Sequence, residues 1–306
     1  MSVIHKVLIT GSNGFLGQKL VDLLSMHADY KVFAISMHEN DNPTIGNYDF
    51  QQMDLLDTEK LNDYLDQVKP DYIIHTAAIT SVEACEADKE KCQRMNVDLV
   101  EQLASYCKRE QAFLIQLSTD FIFDGQNGLY KEDDLAHPLS EYGKSKWRSE
   151  QVIQKSECAY AILRTILVYG INANPNRSNL VLWAKEKLTK QESIKVVNDQ
   201  WRMPTFVDDL ANACLLALEK RVTSVFHISG EEMLTIAEAV YQVADFWKLD
   251  KTLISEITAA EIGQSENRPR KTGFDLSKAK SILGYQPTSF KESLKIIETQ
   301  YGIFRK

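Results

Sequence analysis

Short apolar runs rich in β-branched residues alternate with helix-period segments through the first half of this 306-residue chain. The predicted strands are 7–10, 32–36, 72–76, 113–118 and 161–165. Short apolar strands separated by helices are typical of βαβ units, in which helices cover both faces of a parallel sheet. The pattern therefore predicts an α/β fold with a doubly wound parallel sheet.

A glycine-rich turn follows the first predicted strand and opens a helix, with the spacing G-x-x-G-x-x-G. Glycines there allow a tight turn and let a pyrophosphate approach the backbone, while the helix N-terminus attracts negative charge. A glycine triplet alone can be a simple strand-to-helix turn, but its place at the start of a βαβ chain favours a dinucleotide site on a Rossmann sheet. The cofactor contacts predicted here are Gly11, Asn13, Gly14, Phe15, Leu16 and Gly17.

The end of the second predicted strand carries no acidic residue that could bind the cofactor ribose. An Asp or Glu about 20 residues beyond the glycines would bind the 2′-hydroxyl and indicate NAD, but Ser36 and His38 stand there. NADP is therefore slightly favoured over NAD. Asp54 is assigned to the adenine, with helix capping as the alternative. Small or apolar residues complete the predicted cofactor wall at Leu55, Ala77 and Ala78.

The strand and helix alternation breaks after Gly170, where a second, smaller region begins. We expect residues 1–169 to form the dinucleotide-binding Rossmann domain, with 198–230 returning to it. The remaining residues, 170–197 and 231–306, are expected to form a C-terminal substrate-binding region.

Charge and cysteine content exclude several classes of protein. The net charge is −8, without any run of Lys or Arg, which argues against a nucleic-acid partner. The five cysteines form no Cys-x-x-Cys and are odd in number, as expected of free thiols in the cytoplasm. No apolar run approaches a membrane span, and no His or carboxylate cluster has metal-ligand spacing. The oligomeric state stays open, with a homodimer as one option.

A Tyr-x-x-x-Lys pair follows a Ser-Thr-Asp sequence at the end of a predicted strand. On a helix, Tyr142 and Lys146 project from the same face. A phenol has a pKa of about 10, so we expect the nearby ammonium to lower it for proton transfer. Such a pair occurs by chance in a chain with 12 tyrosines, but no other tyrosine here has a lysine four residues on.

Strand, glycine turn, Ser-Thr-Asp and Tyr-x-x-x-Lys stand in the order found in the extended short-chain dehydrogenase/reductases, which the chain resembles. Within that group it is similar to the dTDP-4-dehydrorhamnose reductase family. The segments that carry this resemblance are 118–125, 142–146, 164–169, 197–205, 208–211, 268–269 and 275–278. The resemblance spans nearly the whole chain and is loosest at 79–83 and 201–203, both expected to border the sugar.

The resemblance implies that Thr119, Tyr142 and Lys146 are the catalytic residues. It also implies that Lys146 binds the nicotinamide ribose and that Asn96 helps to organise the site, although a mid-helix Asn can simply face water. The predicted cofactor contacts are completed by Asn96, Ser118, Tyr142 and Lys146. The predicted substrate contacts are Thr119, Asp120, Phe121, Tyr142, Trp201 and Arg268. Asp120 could instead hold a turn, and Trp201 or Arg268 could be core or surface.

The implied function is NAD(P)H-dependent reduction of a nucleotide-linked 4-keto sugar, with dTDP-4-dehydrorhamnose giving dTDP-L-rhamnose. One alternative is an epimerase or dehydratase of the same superfamily that retains NAD through its cycle. A second alternative is a non-catalytic NADP-binding regulatory subunit, similar to the relative that binds methionine adenosyltransferase. Thr119, Tyr142 and Lys146 favour catalysis, because a scaffold would not need them.

Overall fold

A seven-stranded parallel sheet forms the centre of the molecule in this computed structural model, which describes residues 4–43, 46–172, 178–264 and 266–304. Seven of the strands in the described residues form this sheet, and the others form short pairs. All of these strands are β1 (His5–Thr10), β2 (Tyr30–Ser36), β3 (Tyr48–Gln52), β4 (Tyr72–His75), β5 (Phe113–Thr119), β6 (Gly128–Tyr130), β7 (Ala159–Thr165), β8 (Val168–Tyr169), β9 (Ile194–Val197), β10 (Trp201–Arg202), β11 (Thr205–Phe206), β12 (Ser224–Ile228), β13 (Leu234–Thr235), β14 (Ile254–Ile257) and β15 (Thr272–Phe274).

The α-helices are α1 (Phe15–Ser25), α2 (Thr58–Val68), α3 (Val82–Ala87), α4 (Lys89–Gln93), α5 (Leu99–Glu110), α6 (Glu141–Lys155), α7 (Leu180–Thr189), α8 (Val207–Lys220), α9 (Ile236–Trp247) and α10 (Phe290–Phe304). Short 3₁₀ turns lie at Asp120–Ile122, Lys251–Leu253 and Ala260–Ile262, and π turns at Arg94–Asp98 and Ala279–Leu283. No described helix is long and apolar enough to cross a membrane.

The order of the central sheet is β12-β7-β5-β4-β1-β2-β3, and every neighbouring pair is parallel. The chain builds outwards from β1 through β2 to β3 and then crosses to β4 on the other side of β1. A crevice forms where the strand order reverses in this way, at the carboxyl ends of the strands. The predicted fold class, a doubly wound parallel sheet, is confirmed.

Burial on both faces explains why the strands are continuous apolar runs. Val7 and Ile9 of β1 face one core, and Leu8 between them faces the other. Ile73 and Ile74 of β4 divide in the same way. Since side chains alternate between the two faces of a strand, a strand covered by helices on both sides needs an apolar residue at each position.

Three hydrophobic cores organise the helices. Helices α1 and α8 pack on one face of the sheet, whereas α2, α5 and α6 pack on the other. A third core lies between α7, α9 and α10, with Val181, Val240 and Leu294 at its centre. This third core surrounds the parallel pair of β9 and β14.

The chain returns to the central sheet after α8, where β12 pairs with β7 at the edge. Three other short pairs connect distant parts of the sequence, namely β6 with β15, β8 with β11 and β10 with β13. The pairing of β6 with β15 brings residues 272–274 beside the segment that follows Ser-Thr-Asp. C-terminal residues thereby reach the carboxyl end of β5.

Candidate active site

A cavity of about 520 Å³ opens at the carboxyl ends of β1, β4 and β5, in the crevice where the strand order reverses. Residues predicted for cofactor, catalysis and substrate meet there. Those lining the cavity are Gly14, Phe15, Leu16, Ala77, Ala78, Ser118, Thr119, Asp120, Phe121, Tyr142, Lys146 and Arg268. Parallel strands place their carboxyl ends at one edge, which is why residues so distant in sequence share this space.

The turn after β1 forms one end of the cavity. Gly11 has a φ of 70°, and a Cβ atom on Gly17 would lie 2.2 Å from the carbonyl oxygen of Gly11. The N-terminus of α1 carries no side-chain cap, and the buried hydroxyl of Ser12 has no hydrogen-bond partner among the described atoms. Free backbone N–H groups and an unpartnered hydroxyl fit the pyrophosphate of a dinucleotide.

Helix α6 carries Tyr142 and Lys146 to the cavity. It begins at an N-cap, where the Ser140 hydroxyl accepts a hydrogen bond from the backbone N–H of Gly143 at 3.2 Å. Tyr142 lies in the first turn, and its ring meets the edge of the Phe121 ring at a centroid distance of 5.7 Å. Both side chains therefore project from one helical face, as the four-residue spacing predicts.

Thr119, the last residue of β5, lies beside the phenol. Its hydroxyl accepts a hydrogen bond from the backbone N–H of Phe121 at 3.2 Å and donates one to the Asp120 carboxylate at 3.2 Å. The Tyr142 side chain lies beside this hydroxyl, and both residues line the cavity. The two hydroxyl groups thus face one part of the cavity, where a carbonyl oxygen could accept from Tyr142, and from Thr119 once the Thr119 proton turns from Asp120 to the ligand.

Burial controls the protonation of both helical residues. It raises the pKa of Tyr142 well above its usual value, and the neighbouring Thr119 hydroxyl opposes the rise. It lowers the pKa of Lys146 to about 8, and the Glu150 carboxylate opposes this fall. The net shift of the Tyr142 pKa is upward, against the expected lowering, because desolvation of the phenolate is its largest cause and Lys146 is not among its causes.

His75 lines the cavity at the end of β4, and the sequence did not single it out. Its Nδ1 is hydrogen-bonded to the Thr10 hydroxyl at 2.7 Å. Burial, followed by the charge of Lys146, lowers the pKa of His75 to about 3. The imidazole is therefore neutral at physiological pH and takes no part in an ion pair there.

Residues 5–302 match the family described as RmlD substrate binding domain. The chain is 31% identical to a dTDP-4-dehydrorhamnose reductase of Aggregatibacter actinomycetemcomitans, over 95% of this chain and 98% of the relative. The chain belongs to this reductase family. It is also 30% identical to methionine adenosyltransferase 2 subunit beta of Bos taurus, over 95% of this chain and 86% of the relative.

A solved structure shares the fold of this member of the dTDP-4-dehydrorhamnose reductase family. It is the enzyme from Bacillus anthracis in complex with NADP, with a TM-score of 0.85 at 24% identity, covering 97% of this chain and 100% of that chain. Membership of the family makes the present chain an NAD(P)-dependent oxidoreductase. The geometry of its cavity agrees with that class.

Asp120 lines the cavity of this reductase-family protein, but its carboxylate is already bound by other side chains of the protein. The Thr272 hydroxyl of β15 donates a hydrogen bond to Oδ2, and the Arg202 guanidinium lies 3.7 Å from the same oxygen. Burial raises the pKa of Asp120, and Arg202 opposes the rise. The carboxylate therefore links β5 to the C-terminal segments.

Arg202 is a residue whose role the sequence did not reveal. Its guanidinium is buried and donates hydrogen bonds to the backbone carbonyls of Pro269 and Trp201, both at 2.7 Å, and of Arg270 at 3.2 Å. It thereby holds the backbone on either side of Arg270. Trp201 does not line the cavity, and its ring lies under the Arg270 guanidinium at 5.5 Å.

Arg268 lines the cavity from the loop that Arg202 holds. Its guanidinium forms an ion pair with Glu83 of α3, another lining residue. The Arg268 Nε is buried without a hydrogen-bond partner among the described atoms. This residue therefore offers a guanidinium donor to a ligand, as the sequence predicts.

Several predicted cofactor residues lie outside the cavity lining. Gly11, Asn13 and Gly17 form the body of the turn, where the Asn13 amide donates to the Glu39 carbonyl at 2.6 Å. Ser36 ends β2 and is buried. His38 and Asp54 are exposed, and the Asp54 carboxylate accepts a hydrogen bond from the Leu56 N–H. Leu55 is buried in a hydrophobic core.

Asn96 also lies behind the cavity, within the π turn Arg94–Asp98. Its amide accepts from the backbone N–H of Ile79 at 2.8 Å and donates to the Ile79 carbonyl at 2.9 Å. It also donates to the Ser145 hydroxyl of α6 at 3.0 Å. Asn96 therefore fixes the loop after Ala78 against α6.

Thr80, Ser81, Val82 and Glu83 line the cavity and belong to the segment 79–83 that is expected to border the sugar. Lining residues that the sequence did not indicate are Thr76, Leu117, Thr165, Leu167, Val168 and Leu210. Thr165 ends β7, so its presence could have been inferred from the rule that parallel strands end at one edge. The described residues contain five free, buried cysteines and no group of three or more His, Cys, Asp or Glu that could hold a metal.

Proposed function

We propose that the protein reduces the C4 ketone of a nucleotide-linked sugar, converting dTDP-4-dehydrorhamnose to dTDP-L-rhamnose with NADPH or NADH. One observation carries the proposal. The hydroxyls of Thr119 and Tyr142 lie in the same cavity as Lys146 and the glycine turn. The family match and the reductase relative support a sugar-nucleotide reductase.

The nicotinamide supplies the hydride when it is bound, and the protein supplies the proton and the geometry. Because burial raises its pKa, Tyr142 keeps its proton at neutral pH and can donate it to the alkoxide that develops on the sugar. Thr119 donates the second hydrogen bond when its hydroxyl proton turns from Asp120 to the sugar oxygen. Holding a ketone against these groups contributes to the rate by positioning, up to roughly 7–11 kcal/mol in well-oriented systems.

Lys146 is assigned to the ribose of the nicotinamide. Its ammonium is buried at the cavity wall, one helical turn from Tyr142. The absence of a carboxylate at Ser36 and His38 favours NADP slightly over NAD. Gly14, Phe15 and Leu16 at the start of α1 are assigned to the pyrophosphate.

The nucleotide diphosphate is assigned to Arg268. Guanidinium groups bind phosphate oxygens in a bidentate manner, and this one lines the cavity on the side formed by C-terminal residues. Phe121, whose ring packs against Tyr142, offers an apolar surface for the sugar. Trp201 lies outside the cavity lining and is assigned no contact with the sugar.

The experiment is to follow NADPH and NADH absorbance at 340 nm with dTDP-4-dehydrorhamnose and with a UDP-linked 4-keto sugar. We expect turnover with the dTDP substrate and a large loss in Tyr142→Phe. If neither sugar causes a loss of absorbance although the cofactor still binds, the proposal is contradicted. Cofactor retained through purification and sugar interconversion without net oxidation would favour an epimerase.

A regulatory subunit is the second candidate, because one relative at 30% identity is methionine adenosyltransferase 2 subunit beta. In that case cofactor would bind without turnover, and a partner would bind equally well to wild type and Tyr142→Phe. The Thr119, Tyr142 and Lys146 constellation favours the reductase, since binding a partner does not require a proton donor.

A further inference from the structure

A buried carboxylate lies one helical turn beyond Lys146, at Glu150 of α6. It has no exposed surface, and the reaction described above does not use it. Arg164 of β7 donates to it from Nε at 3.0 Å and from Nη2 at 2.7 Å, and the Ser118 hydroxyl of β5 donates to Oε1. Glu150 is therefore bonded to two strands of the central sheet.

These strands end at the cavity. Ser118 directly precedes Thr119, and Arg164 directly precedes the lining residue Thr165. Arg164 is held in turn by the Glu132 carbonyl at 3.0 Å and by Nε2 of His227 at 3.2 Å. The carboxylate thus joins the catalytic helix α6 to the two strand ends that supply the other wall of the site.

Stability alone does not account for an ion pair in this position. Removing two charges from water carries a large desolvation cost, and apolar pairs of similar volume often stabilise a protein equally well or better. The Glu150 and Arg164 side chains are 0% and 3% exposed. The burial of the Glu150–Arg164 ion pair therefore points to a role in positioning or charge rather than in stability alone.

The surroundings of Lys146 contain one carboxylate that acts on its charge. Glu150 lies on the same helix, Cys92 of α4 is a neighbour, burial raises the pKa of the Cys85 thiol of α3, and His75 of β4 is neutral because its pKa is about 3. Tyr142 lies one turn earlier and holds its proton. Of these groups, Glu150 supplies the negative charge that favours an ammonium.

We propose that Glu150 is a positioning residue of the reaction, which ties the catalytic helix to the end of β5 through Ser118 and keeps Lys146 charged where the cofactor ribose binds. The inference rests on the proposed role of Lys146 in binding the cofactor, but it does not depend on which sugar is reduced.

The test is the dissociation constant of NADPH, measured by fluorescence between pH 7 and pH 9.5, where its phosphates stay ionised. In the wild type, affinity should weaken as Lys146 loses its proton near pH 8. In Glu150→Gln the same weakening should begin about one pH unit lower, because loss of a nearby opposite charge lowers the pKa of an ammonium. Glu150→Asp keeps the charge and should restore the wild-type profile.

Two further variants keep the test decisive. Glu150→Gln leaves Arg164 buried without a counter-charge and could fail to fold, so Glu150→Gln/Arg164→Met removes both charges and should shift the profile in the same direction. Ser149→Ala is the matched control, since its buried hydroxyl bonds to the backbone carbonyl of Lys146 at 2.7 Å and is assigned no role in the site. Its profile should equal that of the wild type.

An unchanged pH profile in folded Glu150→Gln, or in the double variant, would overturn the proposal. A wild-type affinity that does not change between pH 7 and pH 9.5 would overturn it as well, because Lys146 would then not act through its charge. Absence of sugar reduction by the wild type, together with a shifted binding profile, would instead count against the proposed function and leave the role of Glu150 supported.

Discussion

The guanidinium of Arg268 is paired with the carboxylate of Glu83 across the cavity, joining a C-terminal loop to the helix that follows β4. The Glu83 side chain is 65% exposed, and exposed ion pairs contribute little to stability. A diphosphate carries more negative charge than one carboxylate and can take its place. Glu83 therefore competes with the proposed substrate for Arg268.

This competition predicts opposite effects at the two positions. Glu83→Gln should lower KM for the nucleotide sugar several-fold, whereas Arg268→Ala should raise it about tenfold or more, because a charge-assisted hydrogen bond contributes roughly 1.5–3 kcal/mol. Steady-state kinetics at fixed NADPH measures both values. Arg270→Ala is the matched control, since it removes the same charge two residues away, outside the cavity lining. Equal KM values in all three variants would exclude a diphosphate contact at Arg268.

Removal of the Tyr142 hydroxyl should reduce kcat by about 10²–10⁴-fold, the usual contribution of a positioned proton donor. The dissociation constant of NADPH should change little, because the glycine turn and Lys146 remain. Tyr106→Phe is the control, since its hydroxyl donates to the Leu65 carbonyl at 3.1 Å far from the cavity. That variant should lose about 1 kcal/mol of stability and no activity. Near-normal turnover in Tyr142→Phe would require another proton donor.

Replacement of Lys146 by methionine should stabilise the protein at neutral pH. The lysine pKa falls from 10.5 to about 8 on folding, so the unfolded chain binds more protons between pH 8 and pH 10.5. Wild-type stability should therefore rise with pH through this window, by up to about 3 kcal/mol. The difference in Tm between Lys146→Met and wild type should be largest at pH 7 and smaller at pH 9.5. A difference independent of pH would mean that Lys146 is not desolvated.

Acidic pH should destabilise the protein through His75. Its pKa falls from 6.5 to about 3 on folding, so the unfolded chain takes up the proton first as the pH falls from 6.5. Stability should decline over this range by up to about 5 kcal/mol. In His75→Gln the decline in the free energy of unfolding between pH 6.5 and pH 4 should be shallower, whereas the exposed His38→Gln should resemble the wild type. Urea titrations at each pH measure the difference.

Local patterns were enough to predict the fold class and much of the cavity. The glycine turn, the strand end at Ser118 and the four-residue spacing of Tyr142 and Lys146 each depend on a few neighbouring residues, because backbone geometry repeats with a fixed period. Parallel strands then bring these segments to one edge. Their roles toward cofactor and sugar stay predictions.

The same local patterns could not predict contacts between distant segments of the chain. Arg202 and Glu83 act through partners 67 and 185 residues away, and no periodicity links such positions. The Tyr142 pKa was misjudged for a related reason. The spacing of Tyr142 and Lys146 predicts which charge is near, but the desolvation that raises the Tyr142 pKa comes from the whole surrounding fold.

The pairing of β12 with β7 limits how the chain can be divided into fragments. A fragment ending at Tyr169 would leave β7 as an open edge, with the unpaired backbone groups that promote aggregation between chains. Separate expression of the N-terminal half should therefore fail unless residues 224–228 are supplied on the same chain. Chimeras that exchange the C-terminal region between relatives would need two junctions, one on each side of this strand.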